Sequence, residues 1–490
     1  MLNEETISRG TTIPDVATPP IEQPVRKNLI MAVLLIGAFV AILNQTLLNI
    51  AIPEIMKDLE ISASQAQWLM TGYMLIHGVL IPASAFLMLR FPTRALYVTA
   101  MGLFSGGTLV CATAPFFAVL MAGRFIQAAG AAVTMPLLFN GILSIYPFEQ
   151  RGRAMGVMGM CIMFAPAIGP PLSGWLVQTY AWRSLFWVVL PISLCCVVLG
   201  MAFLKTVTEL TYPRIDLRSL FFSTLGFGGV LYGVSLAGTA GWSSGTVLGA
   251  LSVGGVGVTV FVRRQFALPA PMLDFRVFRY GMFALTAVIN AVLTMAMFSG
   301  MILVPLYMQS YRGFSPLESG LLLLPGAILM GVTSPIAGWV FDKAGGKWLA
   351  VAGLTLTTLT TWQFSRLTDS TPYSYLITMN AIRMFGMALL MMPINTTGLN
   401  QLPSRLHAHG TAMNNTVKIL SGSLGTAFLV TWMTLRSAHH AHVLPERLAS
   451  IQGVNDAFFI ATLFSACALF LSFFIQRVTP DQEDLASIEA

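Results

Sequence analysis

Side chains able to do chemistry are sparse in this sequence, and most of them are uncharged amides set inside apolar runs. The stretch "AILNQTLLNIAIP" (41–53) places Asn44, Gln45, Thr46 and Asn49 in a run that begins at Leu29. Tyr73 and His77 stand one helical turn apart in a second run, and Arg124 and Gln127 in a third. Later in the chain Asn290, Gln309, Asn380, Arg383, Asn395, Asn400, Asn414, Asn415 and Lys418 supply a further polar lining. None of the 20 acids falls at the centre of an apolar run; Glu318 and Asp342 lie near helix ends. No nucleophile is spaced for activation by a base. The five cysteines read as small packing residues, and "SAHHAH" (437–442) as a solvated loop rather than a metal site. Neither enzyme chemistry, a metal nor a cofactor is expected. His77 is the best titratable group available for moving a proton near neutral pH.

The elements that must position these groups follow from composition. The chain has 490 residues, 56% hydrophobic and 10% charged, with mean hydropathy +0.75, whereas a soluble domain carries about 25% charged residues. Apolar runs of about 20 residues recur throughout, each long enough to cross a bilayer as a helix. The sequence predicts fourteen spans, the last at 455–477. Lys and Arg divide 18 to 6 between alternate connections, with Arg124, Arg383 and Lys418 left inside spans. Both termini are therefore expected in the cytoplasm, and the net charge of +7 marks loops there rather than a nucleic-acid partner.

The chain also repeats itself. "AGRFIQAAGAAVTMPLLFNGILSIYPFEQRGRAMG" (122–156) and "AIRMFGMALLMMPINTTGLNQLPSRLHAHGTAMN" (381–414) share an Arg opening a span, a Pro some ten residues later, a polar loop and a small-Ala-Met entry to the next helix. Duplicated halves with solute bound between them are a hallmark of secondary transporters. The expected organisation is a disordered tail (1–27), a six-helix half (28–205), an inserted helix pair with a linker (206–280), a second six-helix half (281–477) and a short tail (478–490). The linker "LPAPMLDFRVFR" (268–279) is expected as a helix lying on the cytoplasmic membrane face.

Three motifs carry mechanism. "MFAPAIGPPLSGW" (163–175) sets Pro166, Gly169, Pro170, Ser173 and Gly174 at spacings of three and four, a flat bendable stripe for close helix approach. "GWVFDKAGGK" (338–347) supplies Gly338, Asp342, Lys343 and Gly345. An acid there can bind the start of a neighbouring helix and latch one conformation. "GRFIQAAGAA" (123–132) buries Arg124 about seven residues below the outer surface, roughly 10 Å at 1.5 Å per residue, with Gln127 one turn on. Gln45 is expected at a similar depth.

These residues resemble the major facilitator superfamily. The stripe at 163–175 resembles its antiporter motif, Gly338 to Gly345 its cytoplasmic loop signature, and Arg124 to Gly130 its fourth-helix motif with Ala128 replacing a glycine. Thr46, Asn49, Ala51 and Pro53 are similar to the first-helix pattern of the fourteen-helix drug:proton antiporters, and the chain most resembles the lincomycin-resistance-type exporters among them. The resemblance implies an all-α major facilitator fold, two six-helix halves plus two inserted helices, and export of amphipathic small molecules by a monomer in a bacterial plasma membrane. It also implies a link between Arg124 and proton transfer. The sequence departs from it in two places. Gln45 stands where the relatives carry an acid, and the first-half loop "AFLMLRFPTR" (85–94) has lost its glycines and acid. The missing carboxylate keeps open a proton-independent lipid flippase or facilitator.

Overall fold

In the computed structural model, which describes residues 27–206, 210 and 216–476, the chain is helical, and no strand occurs among the described residues. The helices are α1 (Lys27–Asp58), α2 (Ala63–Arg90), α3 (Thr93–Ala112), α4 (Phe117–Ile145), α5 (Arg151–Thr179), α6 (Ser184–Phe203), α7 (Leu217–Ala240), α8 (Gly245–Ala267), α9 (Gly281–Leu306), α10 (Pro316–Ala344), α11 (Lys347–Phe364), α12 (Tyr373–Asn400), α13 (His407–His440) and α14 (Glu446–Ser472). Twelve of them are long and apolar enough to cross a bilayer, by length and composition. The other two are α11, diluted by five threonines, and α13, diluted by Asn414, Asn415, Lys418 and its histidines. The expected tails lie outside the described residues.

The pairings repeat along the chain. Helix α1 packs on α4, α5 and α6, α2 on α4, and α3 on α4 and α6. Eight helices later, α9 packs on α12, α13 and α14, α10 on α12, and α11 on α12 and α14. The two bundles meet chiefly along α5 and α10, and also where α13 crosses α2 and α4. Helices α7 and α8 form a separate pair leaning on α2 and α13. One end of the assembly carries Lys27, Arg90, Arg151, Lys343 and Arg405 at helix termini, and is called the basic end below.

Close approach depends on small residues, since lipid supplies no hydrophobic drive between helices. A Cβ on Gly130 of α4 would collide with the Ala100 carbonyl of α3, and one on Gly353 of α11 would stand 2.5 Å from the Gly386 carbonyl of α12. Gly226 and Gly229 of α7 face Gly257 and Gly254 of α8 in the same manner. At the basic end Asp216 caps α7 and takes Arg264 of α8 bidentately, at 2.7 and 3.0 Å. Hydrogen bonding to that guanidinium is the largest cause holding the Asp216 carboxyl down at about 2.

The linker differs from the expected surface helix. It forms one 3-10 turn, Phe275–Arg279, with Leu273 and Val277 fully buried in the protein rather than facing lipid. Pro269 and Pro271 stop a longer helix. Gln265 Oε1 accepts from the Met272 and Leu273 N–H groups, and the Asp274 N–H donates to His409 Nδ1, so the irregular backbone is satisfied inside the fold.

Gly130→Leu is expected to cost about 1–3 kcal/mol by overpacking, lowering the melting temperature in detergent. Gly102→Leu, one helix away with nothing within 4 Å of its Cβ position, should melt like the wild type.

Candidate functional site

The polar groups converge on two buried arginines. Arg124 of α4 is fully buried. Its Nη1 donates to Gln127 Oε1 at 2.9 Å, its Nε donates to the Leu69 carbonyl of α2 at 3.3 Å, and its guanidinium lies 4.2 Å from the Tyr73 ring centroid. Gln127 passes the contact on: Nε2 donates to Thr108 Oγ1 of α3 at 2.7 Å, while Oε1 accepts from Asn44 Nδ2 of α1 at 3.4 Å. One glutamine thus ties three helices to the cation. Tyr73 stacks in turn on His77, centroids 6.0 Å apart, and the backbone of Ala131 hydrogen-bonds the His77 ring. Arg124 Nη2 has no partner.

Arg383 of α12 occupies the corresponding place in the second bundle. It is 1% exposed, and its Nη2 donates to the Ala296 and Met297 carbonyls of α9 at 3.4 and 3.2 Å. Gly300 makes room, because a Cβ there would collide with the guanidinium. Nearer the basic end, Asn290, Asn395 and Asn414 form a triad across α9, α12 and α13. Asn395 Oδ1 accepts from Asn290 Nδ2 at 2.9 Å and from Asn414 Nδ2 at 3.0 Å. Lys418 follows Asn414 by one turn on α13, with its Nζ 5.4 Å from the Phe139 ring centroid of α4 in the other bundle.

The bundles are joined at the basic end. Asp342, near the end of α10, accepts from the Gly152 and Arg153 N–H groups in the first turn of α5, at 2.8 and 2.9 Å. A carboxylate there satisfies two N–H groups that a helix start leaves orphaned and complements its dipole. Gly338 is required because a Cβ would collide with the Gly152 carbonyl; Gly345 ends α10 at φ +80°, where glycine is favoured. Lys343 lies over the Trp339 ring at 3.9 Å. Arg151 Nη1 adds a bond to Asn400 Oδ1 of α12 at 3.1 Å.

Several expected residues stand elsewhere. Gln45 does not face Arg124; its Nε2 points to Met74 Sδ on α2 at 3.2 Å, and Asn44 reaches the arginine cluster through Gln127. Gly169 meets Thr46 of α1, inside its own bundle, and a Cβ on Gly174 would meet nothing within 4 Å. Pro166 is half-buried. The side chains of Asn49 and Pro170 lie outside the described ones. The α5 glycines that touch α10 are Gly152 and Gly156, and Gly159 abuts Ser334 of α10 and Met392 of α12. Their own spacing of four and three is a signal the sequence carried. Helix α14 begins at Glu446 rather than 455, which puts Asp456 inside a helix; Arg436 Nε and His440 Nε2 reach it at 2.6 and 2.9 Å.

Paired bundles with matched buried arginines, amides between them and one carboxylate seam define a two-half membrane transport protein. The chain belongs to the Major Facilitator Superfamily, whose family model matches residues 34–426, and it is a multi-pass transporter rather than an enzyme. The uncharacterized MFS-type transporter YcnB of Bacillus subtilis (strain 168) is 46% identical over 456 residues, 93% of this chain and 96% of that one. The lincomycin resistance protein LmrB of the same organism is 40% identical over 463 residues, 92% of this chain and 96% of that one. Among solved structures, the proton:xylose symporter XylE superposes with TM-score 0.61 at 15% identity, covering 94% of this chain and 98% of that one, which shows the fold.

Gln127→Leu strips partners from Arg124, Thr108 and Asn44 together. At about 1–3 kcal/mol for a buried group left unpaired, a large drop in thermal stability is expected. Gln127→Glu keeps the shape and gives Arg124 a counter-ion, so it should melt at or above the wild-type temperature; intrinsic-fluorescence melting of both variants checks this.

Proposed function

We propose that the protein is a secondary active exporter of amphipathic small molecules, working by alternating access with proton antiport. The observation that carries the reading is the seam between α5 and α10. Asp342 holds the first N–H groups of α5 through a contact lined by glycines, a small-residue seam with one polar tie that can part and re-form. The buried arginines and the amides around them stand on α1, α4, α9, α12 and α13 rather than on α5 or α10. Kinship with a lincomycin resistance protein supports a drug as the exported solute. The 18 to 6 division of Lys and Arg supports cytoplasmic termini. The bacterial organisms of the relatives support a bacterial plasma membrane, where the protein would act as a monomer among lipids.

Proton coupling would run through His77, whose ring stacks on the tyrosine that bears Arg124. One observation favours a second reading. No carboxylate joins Asn44, Gln45 or Arg124 among the described residues, and a carrier that exchanges no proton, such as a lipid flippase or facilitator, needs none. Uptake into inside-out proteoliposomes, with and without an imposed pH gradient, decides between them. Drug accumulation that collapses with the gradient supports antiport. Accumulation or equilibration indifferent to it supports the facilitator.

Two variants sharpen the test. Asp342→Asn keeps the shape and weakens the acceptor, so the transport rate should fall about tenfold, near 1.4 kcal/mol of lost latch energy, with ligand affinity within about twofold. A loss confined to affinity would remove the latch. His77→Gln should flatten the transport profile over about pH 5.5–8.5, the range of ordinary imidazole titration; an unchanged profile places coupling elsewhere.

A further inference from the structure

The interior of this carrier has a sign. Arg124 and Arg383 are buried in their bundles with carbonyl and amide oxygens for partners, and the ion pairs among the described residues lie at or near helix ends or in connections except at Asp456, within α14, which pairs with Arg436 and His440. The buried side-chain atoms without a partner include Arg124 Nη2, Arg383 Nε, Asn380 Nδ2 and Asn395 Nδ2, which can only donate, beside the hydroxyls of Ser184, Ser223, Thr358, Ser437 and Ser465, which can donate or accept. Lone cations within a bilayer cost about 2.5–3.5 kcal/mol each on insertion scales, so a set of them with no acid is an expensive arrangement to keep.

We propose that the solute carries an anionic head, a carboxylate or similar oxyanion, and that Lys418 receives it. This rests on the exporter reading above and names the substrate class for it. Lys418 stands roughly 16 Å along α13 from His407 at 1.5 Å per residue, near mid-membrane depth. Its ammonium points across the interface to Phe139 of the other bundle, 5.4 Å from the ring centroid, and no carboxylate among the described residues pairs with it. An aromatic face is a weak partner for an ammonium, leaving it free to exchange that ring for an anion. One turn back from Lys418, Asn414 joins the Asn triad, whose Asn395 Nδ2 is buried without a partner. A cationic head reaching Phe139 would meet the Lys418 ammonium there, whereas an anionic head would be matched by it; Arg124 and Arg383 lie nearer the opposite ends of α4 and α12.

The approach has the same sign. At the basic end a cavity of about 970 Å³ is lined by Lys27, Arg151, Arg279 and Arg405, with Asp274 the carboxylate among its lining residues. Asn140 also lines it and adjoins Phe139, so the basic vestibule and the Lys418 contact are built on consecutive residues of α4. A cleft of one charge sign with low-dielectric walls concentrates ligands of the opposite sign.

The test uses three matched fluorescent amphipaths: a carboxylate, its primary amide and its trimethylammonium analogue. Each is titrated into the purified full-length protein and loaded into proteoliposomes. The carboxylate should bind at least tenfold tighter than the amide, and the ammonium weakest. Lys418→Gln should bring the carboxylate-to-amide ratio within twofold of one, Lys418→Arg should retain it, and Lys418→Glu should reverse the order of the two charged probes. A ratio unmoved by Lys418→Gln overturns the proposal. So does a wild type that binds the ammonium as tightly as the carboxylate, or that binds none of the three. Should Lys418→Gln fail to fold, the wild-type order and Lys418→Arg decide. Charge-ordered binding without uphill accumulation removes the exporter reading and leaves the anion site standing; accumulation of the ammonium at the carboxylate's rate does the reverse.

Discussion

A guanidinium buried without a carboxylate has only neutral groups to draw on, and that constraint organises each bundle. Arg124 draws a carbonyl from α2, an aromatic face from Tyr73 and an amide from Gln127, and Gln127 recruits α3 and α1. Arg383 draws on α9 carbonyls and needs Gly300 to reach them. Neutral acceptors are weaker than a carboxylate, so several must converge on each cation. Helices that converge on one polar centre cannot slide independently. Each bundle therefore behaves as a unit, the condition for moving one against the other.

The seam between the bundles obeys the opposite rule. Gly152, Gly156 and Gly338 allow backbone contact, with Phe341 of α10 seated on Gly152 and Phe164 of α5 on Gly331, and the polar tie is a carboxylate on two N–H groups that would otherwise be solvated at a helix start. Parting the seam exposes groups that water can satisfy, whereas parting the arginine clusters would strand donors in a dry interior. The energetic contrast between interiors that cannot open and a seam that can is built from the same small set of residue types.

Much of this was legible in the sequence, for identifiable reasons. Arg124, Gln127 and Arg383 stand out because charged and amide groups in apolar runs are rare and need partners, and Asp342 stands out through the motif at 338–347. The repeat was visible because both halves carry an Arg and a Pro at similar spacing. What failed was rotation and extent. One residue turns a helix by 100°, so spacing alone could not decide that Asn44, and not Gln45, faces Gln127. Thr108 gave no signal, since a helical threonine can satisfy itself on the carbonyl four residues back, as it does at Phe104. The apolar run alone starts the last span at 455, while the helix starts at Glu446. The linker misled because its apolar residues suit a membrane face and a protein interior equally; Gln265 and His409, distant in sequence, decide between them.

The placement of negative charge separates two tasks that one acid could perform together. Asp342 serves the seam at one end, Asp58 an ion pair toward the other, and Asp456, within α14, pairs with Arg436 and His440. The stretch between is left to amides, hydroxyls and cations. A carboxylate at mid-depth would neutralise Lys418 or Arg124 and would itself change charge whenever a proton arrived. With no carboxylate paired to Arg124 or Lys418 among the described residues, the sign at those two centres is set by the cations themselves, and the proposed recognition by charge would act independently of the Asp342 seam.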